Sequence, residues 1–428
     1  MKKIFKIVAC TSMALPSVAN AQVQDDKNKK LINEGVIYVA EGGVLSTTYD
    51  FDNTDKGYTS NDGSVYFYSN FNNDNLYTHS DLTTKSKAVF TRYEGAKGKQ
   101  IISGSKPSDF YHIVLNNPEK QVAFDLKNEA NVYGSVDFQD GIVKVDSLQG
   151  MLTFHQGAQA LQPSDKSHAE GFVEKIGNEE FQYPKGDKGM YRYARISAPE
   201  GEKDSYQGKY NTEDHNFFRV RSNTSGVINL LNKNEYWTVE RAKDNLKGDV
   251  MLTLSWDERT TPKELLVNPQ EELHIVRWDS KQQIWVDEGG VVDLDKKEIT
   301  TPTSVKGYGF FTLATVKTDW LLDGDVVIYN LVSPNGDGKN DYFIIDNIER
   351  FPNNTVEIFN RWGVRVYETS NYNSRGNVFN GYSDGRVTVD KSELLPTGTY
   401  YYIVTYEYKD KFGSRMIKKS GYLHLETN

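Results

Sequence analysis

Cysteine is almost missing from this chain: Cys10 is the only one among 428 residues. It sits in a segment that reads as a cleavable export signal. Lys2, Lys3 and Lys6 form a positive start, Ile7 to Val18 a short apolar core, and Ala19-Asn20-Ala21 a small-x-small site that places cleavage between Ala21 and Gln22. Ile7-Val8-Ala9-Cys10 could also be read as a lipoprotein box, but only three apolar residues separate Lys6 from the cysteine. A chain that begins at Gln22 holds no thiol. That excludes a cysteine nucleophile, a thiolate-held metal and any disulfide. A chain of this length buries enough core without disulfides. Long apolar runs are also missing after the signal, and a helical membrane span needs about 20 apolar residues. Basic excess is missing too. Lys plus Arg number 50 against 59 acids, for a net charge of −9. Loss of the three signal lysines makes that balance more acidic, which argues against nucleic acid and anionic membrane as partners.

Tyrosine (27) and phenylalanine (20) are plentiful, and Thr, Val and Ile recur. β-Branched and aromatic side chains suit pleated surfaces, so an all-β, multidomain fold is expected. Residues 1–21 are assigned to the signal peptide and 22–34 to a flexible polar leader. Residues 35–200 form an N-terminal β-rich domain. Strands such as Ser64–Tyr68, Tyr111–Leu115, Gln121–Leu126 and Gly141–Val145 alternate there with Asn-, Asp- and Gly-rich breaks. Ile113, Val122, Val132 and Ile142 recur about every ten residues. Either a meander or a short β-solenoid has that spacing, and no strict repeat decides between them. Gly171–Gly177 followed by Phe181–Gly186 reads as a hairpin.

Residues 201–318 read as a central antiparallel β-sandwich. Glu235–Arg241 and Val250–Trp256 alternate, and Leu273–Asp279 with Gln283–Asp287 is a hairpin signal. Gly309–Ala314 reads as its last strand. Only Lys263–Leu266 and Lys391–Leu395 read as helical turns. Residues 319–325 link to a final unit, 326–428.

That unit carries four motifs in order. Ser333-Pro334-Asn335-Gly336-Asp337-Gly338-Lys339-Asn340-Asp341 comes first. Asn360-Arg361-Trp362-Gly363 follows at the end of a strand. Then come Pro396-Thr397-Gly398-Thr399-Tyr400 and a closing Ser420-Gly421-Tyr422-Leu423. Over about 100 residues this closely resembles the gliding-motility-associated C-terminal domain, the type B sorting domain of the type IX secretion system. The "G-x-V-x-K-x-G" run at Gly171–Gly177 is likewise similar to segments in large surface proteins of gliding Bacteroidota. One departure is Phe379-Asn380-Gly381, where the family has Trp-x-Gly; another aromatic is expected to fill that core slot. The resemblance implies an Ig-like β-sandwich, passage through the type IX machinery, and placement at the cell surface or outside the cell. It also implies association with a PorP/SprF-like outer-membrane barrel.

From the residues themselves, Asn335-Gly336 and Asp337-Gly338 supply positions that tolerate positive φ for a tight turn. Trp362 reads as a core aromatic, sharing a strand face with Ile358 and Asn360. Asn335, Asp337, Asn340 and Asp341 gather oxygen ligands of the kind a hard cation such as Ca²⁺ takes, but without EF-hand spacing. An Asx-rich turn satisfying its own backbone is the competing reading. No nucleophile elbow, zinc-protease motif or phosphate loop occurs. His79, His112, His155, His168, His215, His274 and His424 are scattered without metal-ligand spacing. Asp204, Glu213 and Asp214 near Tyr206 and Tyr210 read as a solvated acidic loop. Trp237, Trp256, Trp278 and Trp285 could line a sugar platform but suit a sandwich core better. The expectation is therefore a non-enzymatic surface or secreted protein without a cofactor, acting in adhesion, gliding or surface assembly and meeting surface glycan or other surface proteins. The alternatives are an accessory subunit docked to the barrel and a secreted glycan-active enzyme.

Overall fold

The computed structural model describes residues 29–119, 122–225, 227–241, 248–316, 326–384, 394–410 and 413–427. The signal peptide with its Ala21/Gln22 cleavage site, most of the leader and the 319–325 linker lie outside the described residues, as do Lys391–Glu393 of the second expected helical turn. Among the described residues no helix is long and apolar enough to cross a membrane. Two compact units divide the chain. One holds residues up to Ala194 with Pro199–Thr212 and Trp237–Gly248; the other holds the remainder.

The first unit is a parallel β-solenoid with three strands per coil. Its strands are β1 (Lys30–Asn33), β2 (Val36–Val39), β3 (Val44–Thr47), β4 (Asp50–Asn53), β5 (Tyr58–Asn61), β6 (Ser64–Phe67), β7 (Phe71–Asn73), β8 (Leu76–Thr78) and β9 (Lys87–Thr91). They continue with β10 (Gln100–Ser103), β11 (Ser108–Asn116), β12 (Val122–Lys127), β13 (Glu129–Asp140), β14 (Ile142–Val145), β15 (Met151–Phe154), β16 (Gln159–Leu161), β17 (Ala169–Glu170) and β18 (Val173–Ile176). Strands β1, β4, β7, β10, β12, β14 and β17 stack in parallel as the first face. Strands β2, β5, β8, the start of β11, the start of β13, β15 and β18 form the second. The third is β3, β6, β9, the ends of β11 and β13, and β16. Strands β11 and β13 run unbroken through the second corner, where their pairing shifts register between Phe110 and His112.

This decides between meander and solenoid. The ten-residue spacing is about half a coil: Val122 pairs with Ile142 on the first face, while Ile113 and Val132 lie on β11 and β13. Lys30–Asn33 already pairs with β4, so the last residues assigned to the leader belong to the solenoid. Gly171–Gly186 is not a hairpin either. Strand β18 pairs in parallel with β15, and its other neighbour is the antiparallel strand Ser205–Thr212. The domain boundary near residue 200 therefore shifts, because 205–212 belongs to the solenoid unit.

Inside the coils like stacks on like. Phe51 lies over Phe71 with centroids 5.7 Å apart, and Phe67 over Phe90 at 5.1 Å, all essentially without solvent contact. Each such ring contributes about 1.5–3 kcal/mol by burial. At one corner an amide ladder runs through the interior. Asn33 Nδ2 donates to Asn53 Oδ1 at 2.8 Å, and Asn53 Nδ2 donates to Asn73 Oδ1 at 2.7 Å. Asn53 Nδ2 also reaches the Leu76 carbonyl, and Asn53 Oδ1 accepts from Thr59. These bonds hold the turn backbone of one coil against the next.

The short strands β19 (Phe181–Gln182), β20 (Gly186–Asp187), β21 (Met190–Tyr191) and β22 (Ala194–Ile196) precede β23 (Ser205–Thr212). The second unit then carries β24 (Ile228–Leu231), β25 (Glu235–Arg241, which begins there), β26 (Leu252–Ser255), β27 (Leu273–Asp279), β28 (Ile284–Gly289), β29 (Val291–Asp293), β30 (Glu298–Thr300) and β31 (Gly309–Val316). Strands β27 and β28 form the expected hairpin, and β31 pairs antiparallel with both β27 and β24. A second antiparallel sheet joins β26, β30 and β29. Lys263–Leu266 is a 3₁₀ turn, as expected. Trp278, Trp285, Phe217, Phe218 and Tyr236 fill this core.

The terminal region has β32 (Val327–Ile328), β33 (Leu331–Val332), β34 (Ile345–Asp346), β35 (Asn354–Phe359), β36 (Arg365–Ser370), β37 (Gly398–Asp410) and β38 (Gly413–Leu425). Its main sheet has the order β33-β38-β37-β35-β36, and β32 pairs with β34 separately. Strand β33 pairs in parallel with the end of β38 at His424 and Leu425.

Replacing Asn53 by Leu removes two donors and an acceptor from partners that stay buried. Unsatisfied buried groups cost about 1–3 kcal/mol each, so Asn53→Leu should lose on the order of 3 kcal/mol in denaturant unfolding. A loss under about 0.5 kcal/mol, typical of a surface site, would show that the ladder does not hold the coils.

Candidate functional site

The four motifs all lie in the terminal region, whose core is tied across by one buried tyrosine. Tyr372 is 1% exposed. Its hydroxyl donates to the Phe343 carbonyl at 2.5 Å and accepts from the Phe379 amide at 3.1 Å. Burial pushes this phenol far above its ordinary range, so it stays protonated. Phe379 is fully buried and packs on Tyr367 at 5.1 Å. It occupies the core slot expected for an aromatic where the family has tryptophan.

The first motif is a loop folded on its own backbone. Gly336 and Gly338 have φ of 78° and 82°, which is why glycine stands there. Asp341 accepts from both of their amides, at 2.7 and 2.8 Å. Asp337 accepts from Lys339 N at 2.8 Å and from Asn335 Nδ2 at 3.2 Å, while Asn335 Oδ1 accepts from Asp337 N. Asn340, with φ 53°, gives its carbonyl to Ser333 N. Pro334 follows directly and leads into the loop. The oxygen-bearing side chains thus point at neighbouring amides, the arrangement of an Asx-rich turn. Among the described residues no group of three or more His, Asp and Glu converges as metal ligands do.

The second motif differs from the sequence reading. Strand β35 ends at Phe359, and Asn360–Gly363 is the turn into β36. Asn360 Oδ1 accepts from both Trp362 N and Val364 N at 3.0 Å, and Gly363 has φ 75°. The chain has left the strand before Trp362, so face alternation no longer applies. Trp362 is 47% exposed, and its ring lies 4.2 Å from the Arg361 guanidinium. It is not a core aromatic.

The third motif enters β37. Pro396 precedes the strand and accepts the Tyr400 hydroxyl through its carbonyl at 2.9 Å; Gly398 and Thr399 pair with Leu425 and His424. In the fourth, Gly421 faces Tyr402, and a Cβ there would come within 2.4 Å of its hydroxyl oxygen. Glycine is needed for the ring to cross the strand.

The other marked residues are structural. Trp237, Trp256, Trp278 and Trp285 are all buried, so they offer no sugar platform. Asp204 is buried and accepts from the Gly201 amide; Asp214 caps the helix α1 (His215–Arg219) and accepts the Tyr236 hydroxyl. With Glu213 at φ 56°, these residues shape turns rather than a solvated acidic loop. His168 is buried, and His274 pairs with Asp287 at 2.8 Å.

One set escaped the sequence reading. Asp109, Asn131 and Thr153 follow one another at 22-residue intervals, and so do Tyr111, Tyr133 and His155. The pairing of β11, β13 and β15 puts the first three side by side on the second face of the solenoid. A search for a period of one coil, rather than one strand, would have found them.

Residues 326–425 match the model of the CHU_C type IX secretion signal domain. This end of the chain is a type B sorting domain, and it sends the protein across the outer membrane to the cell surface or the extracellular space by way of the type IX machinery. No curated protein and no solved structure matches the chain significantly.

The exposed turn gives a sharp test. Trp362→Ala should change stability by less than about 0.5 kcal/mol, the surface range, whereas a core tryptophan loses about 3–5 kcal/mol. Denaturant unfolding of the full chain distinguishes the two values.

Proposed function

We propose that the exported protein is a non-enzymatic surface or secreted binder working in adhesion, gliding or surface assembly. The sorting domain at 326–425 carries this reading, because it commits the chain to act outside the cell. Two observations support the non-enzymatic part. The tryptophans are all turned inward except Trp320, which is outside the described residues, and Trp362; and no metal-like cluster occurs among the described residues. The cofactor-free reading is supported by the loop at Asn335–Asp341, whose carboxylates bond their own backbone.

A second reading is an accessory subunit docked to a PorP/SprF-like barrel. It is favoured by the start of the solenoid, where Val36, Tyr58 and Leu76 stand in one register row and are all exposed, with Tyr38 and Val44 beside them. Contiguous exposed apolar surface of this kind marks interaction sites.

Deleting Val326–Asn428 should trap the remainder in the periplasm, checked by fractionation and surface protease shaving. Normal surface appearance of the truncation would refute the sorting role. A pull-down of the tagged native protein from intact outer membranes tests docking. A barrel recovered in fixed ratio supports it, and recovery of the protein alone sinks it. For the cofactor, the thermal midpoint should be the same in EDTA and in millimolar Ca²⁺. A saturating specific ligand at 100 times its Kd adds about 2.7 kcal/mol, so a rise of several degrees would establish a Ca²⁺ loop instead.

A further inference from the structure

The solenoid carries a depression at the corner between its first and second faces. It has a volume of about 560 Å³ and is lined from four coils, among them by Asp74, Lys106, Lys127, Asn128, Glu129 and Gln149. At about 4.8 Å per strand spacing it runs some 14 Å along the stack. Asn128 is its one buried lining residue, at 3% exposure. The Asn128 amide nitrogen donates to Ser108 Oγ at 3.2 Å and to the Lys106 carbonyl at 3.5 Å. Its Oδ1 is buried and has no protein donor.

Next to the depression the second face continues as a polar and aromatic ledge. Asn131, two residues after Glu129, donates to Asp109 Oδ1 at 2.9 Å, and its own Oδ1 lies 3.3 Å from His155 Nε2. Thr153 Oγ donates to Glu174 at 3.3 Å. Beyond this row the Tyr133 and His155 rings stack at 4.3 Å, and His79 meets both Tyr111 and Tyr133 edge to face at 5.5 and 5.3 Å. Partial desolvation and the nearby Glu174 and Asp109 raise the Glu129 carboxyl above its ordinary range. The ledge is thus fixed by the coil ladder and lined with hydroxyl, amide and carboxylate groups. Lys106 and Lys127 are matched by Asp74 and Glu129, and Asp109 adds a further negative charge. No net positive charge is present to hold a polyanion.

We propose that this depression and the adjoining ledge bind a neutral polysaccharide chain lying along the solenoid axis. Sugar hydroxyls donate to the carboxylates of Asp74 and Glu129, and accept from Lys106, Lys127 and Gln149. The tyrosine and histidine rings wall the ledge and keep the Asp109–Asn131–Thr153 row partly desolvated, which strengthens its hydrogen bonds. The proposal rests on the surface-binder reading and names the ligand class for it.

The test uses the full secreted chain in affinity electrophoresis through gels containing β-glucan, xylan, mannan or polygalacturonate. At least one neutral polysaccharide should retard the protein, and polygalacturonate should not. Glu129→Ala, Gln149→Ala and Tyr133→Ala change partly or fully exposed side chains. Each should weaken binding about tenfold, equivalent to about 1.4 kcal/mol, with unfolding midpoints close to the parent's. Absence of retardation by every neutral polymer, equal retardation by polygalacturonate, or undiminished binding by all three variants would overturn the site. Release of reducing ends would refute the non-enzymatic reading and leave the binding site standing.

Discussion

A solenoid coil has no partner for its backbone and no cover for its interior except the coils on either side. Everything in the N-terminal unit follows from that lateral dependence. The phenylalanines stack because each must be roofed by the next, and Asn33, Asn53 and Asn73 recur because a buried turn must spend its amides on the neighbouring turn. The same requirement fixes the outer surface. Once the inner ladder sets the register, Asp109 must stand beside Asn131 and Asn131 beside Thr153. Interior hydrogen bonds therefore position residues that face outward.

The terminal domain solves the same problem on a smaller scale. A loop of nine motif residues would leave many amides unpaired, and Asp341 and Asp337 take up several of them. Tyr372 ties the segment ending that loop to the one carrying Phe379 through a single hydroxyl. The motif letters then divide into two groups. Asn335, Gly336, Asp337, Gly338, Asp341, Asn360 and Gly421 build the fold, while Arg361 and Trp362 are carried on its outside by the turn that Asn360 closes.

The all-β class, the β27–β28 hairpin, the 3₁₀ turn at Lys263 and the sorting domain were legible in the sequence, because each depends on neighbours near in the chain or on a dense motif. The solenoid was half legible. Its strands were visible, but a coil of 20 residues interrupted by longer corners, such as those between β8 and β9 and between β9 and β10, blurs any strict repeat. Trp362 was misread because alternation was carried three residues past the strand's end at Phe359, although Asn360 already starts a turn. The leader was misread because its KLIN segment pairs only with residues 20 positions later, a contact no local pattern reveals. The ledge was missed for the same reason: 22-residue spacing means nothing until the coil length is known.

The near-constant register of the first coils makes length a separable property of this protein. Strand β1 pairs with β4 and β4 with β7 at the same 20-residue offset, so Tyr49 and Asn70 stand at the two ends of one complete lap. Joining them would place Asn33 opposite Asn73 with the same amide chemistry and would shorten the stack by one rung, about 4.8 Å. The length of the solenoid itself can thus be changed in whole rungs without redesigning the coils on either side of the cut.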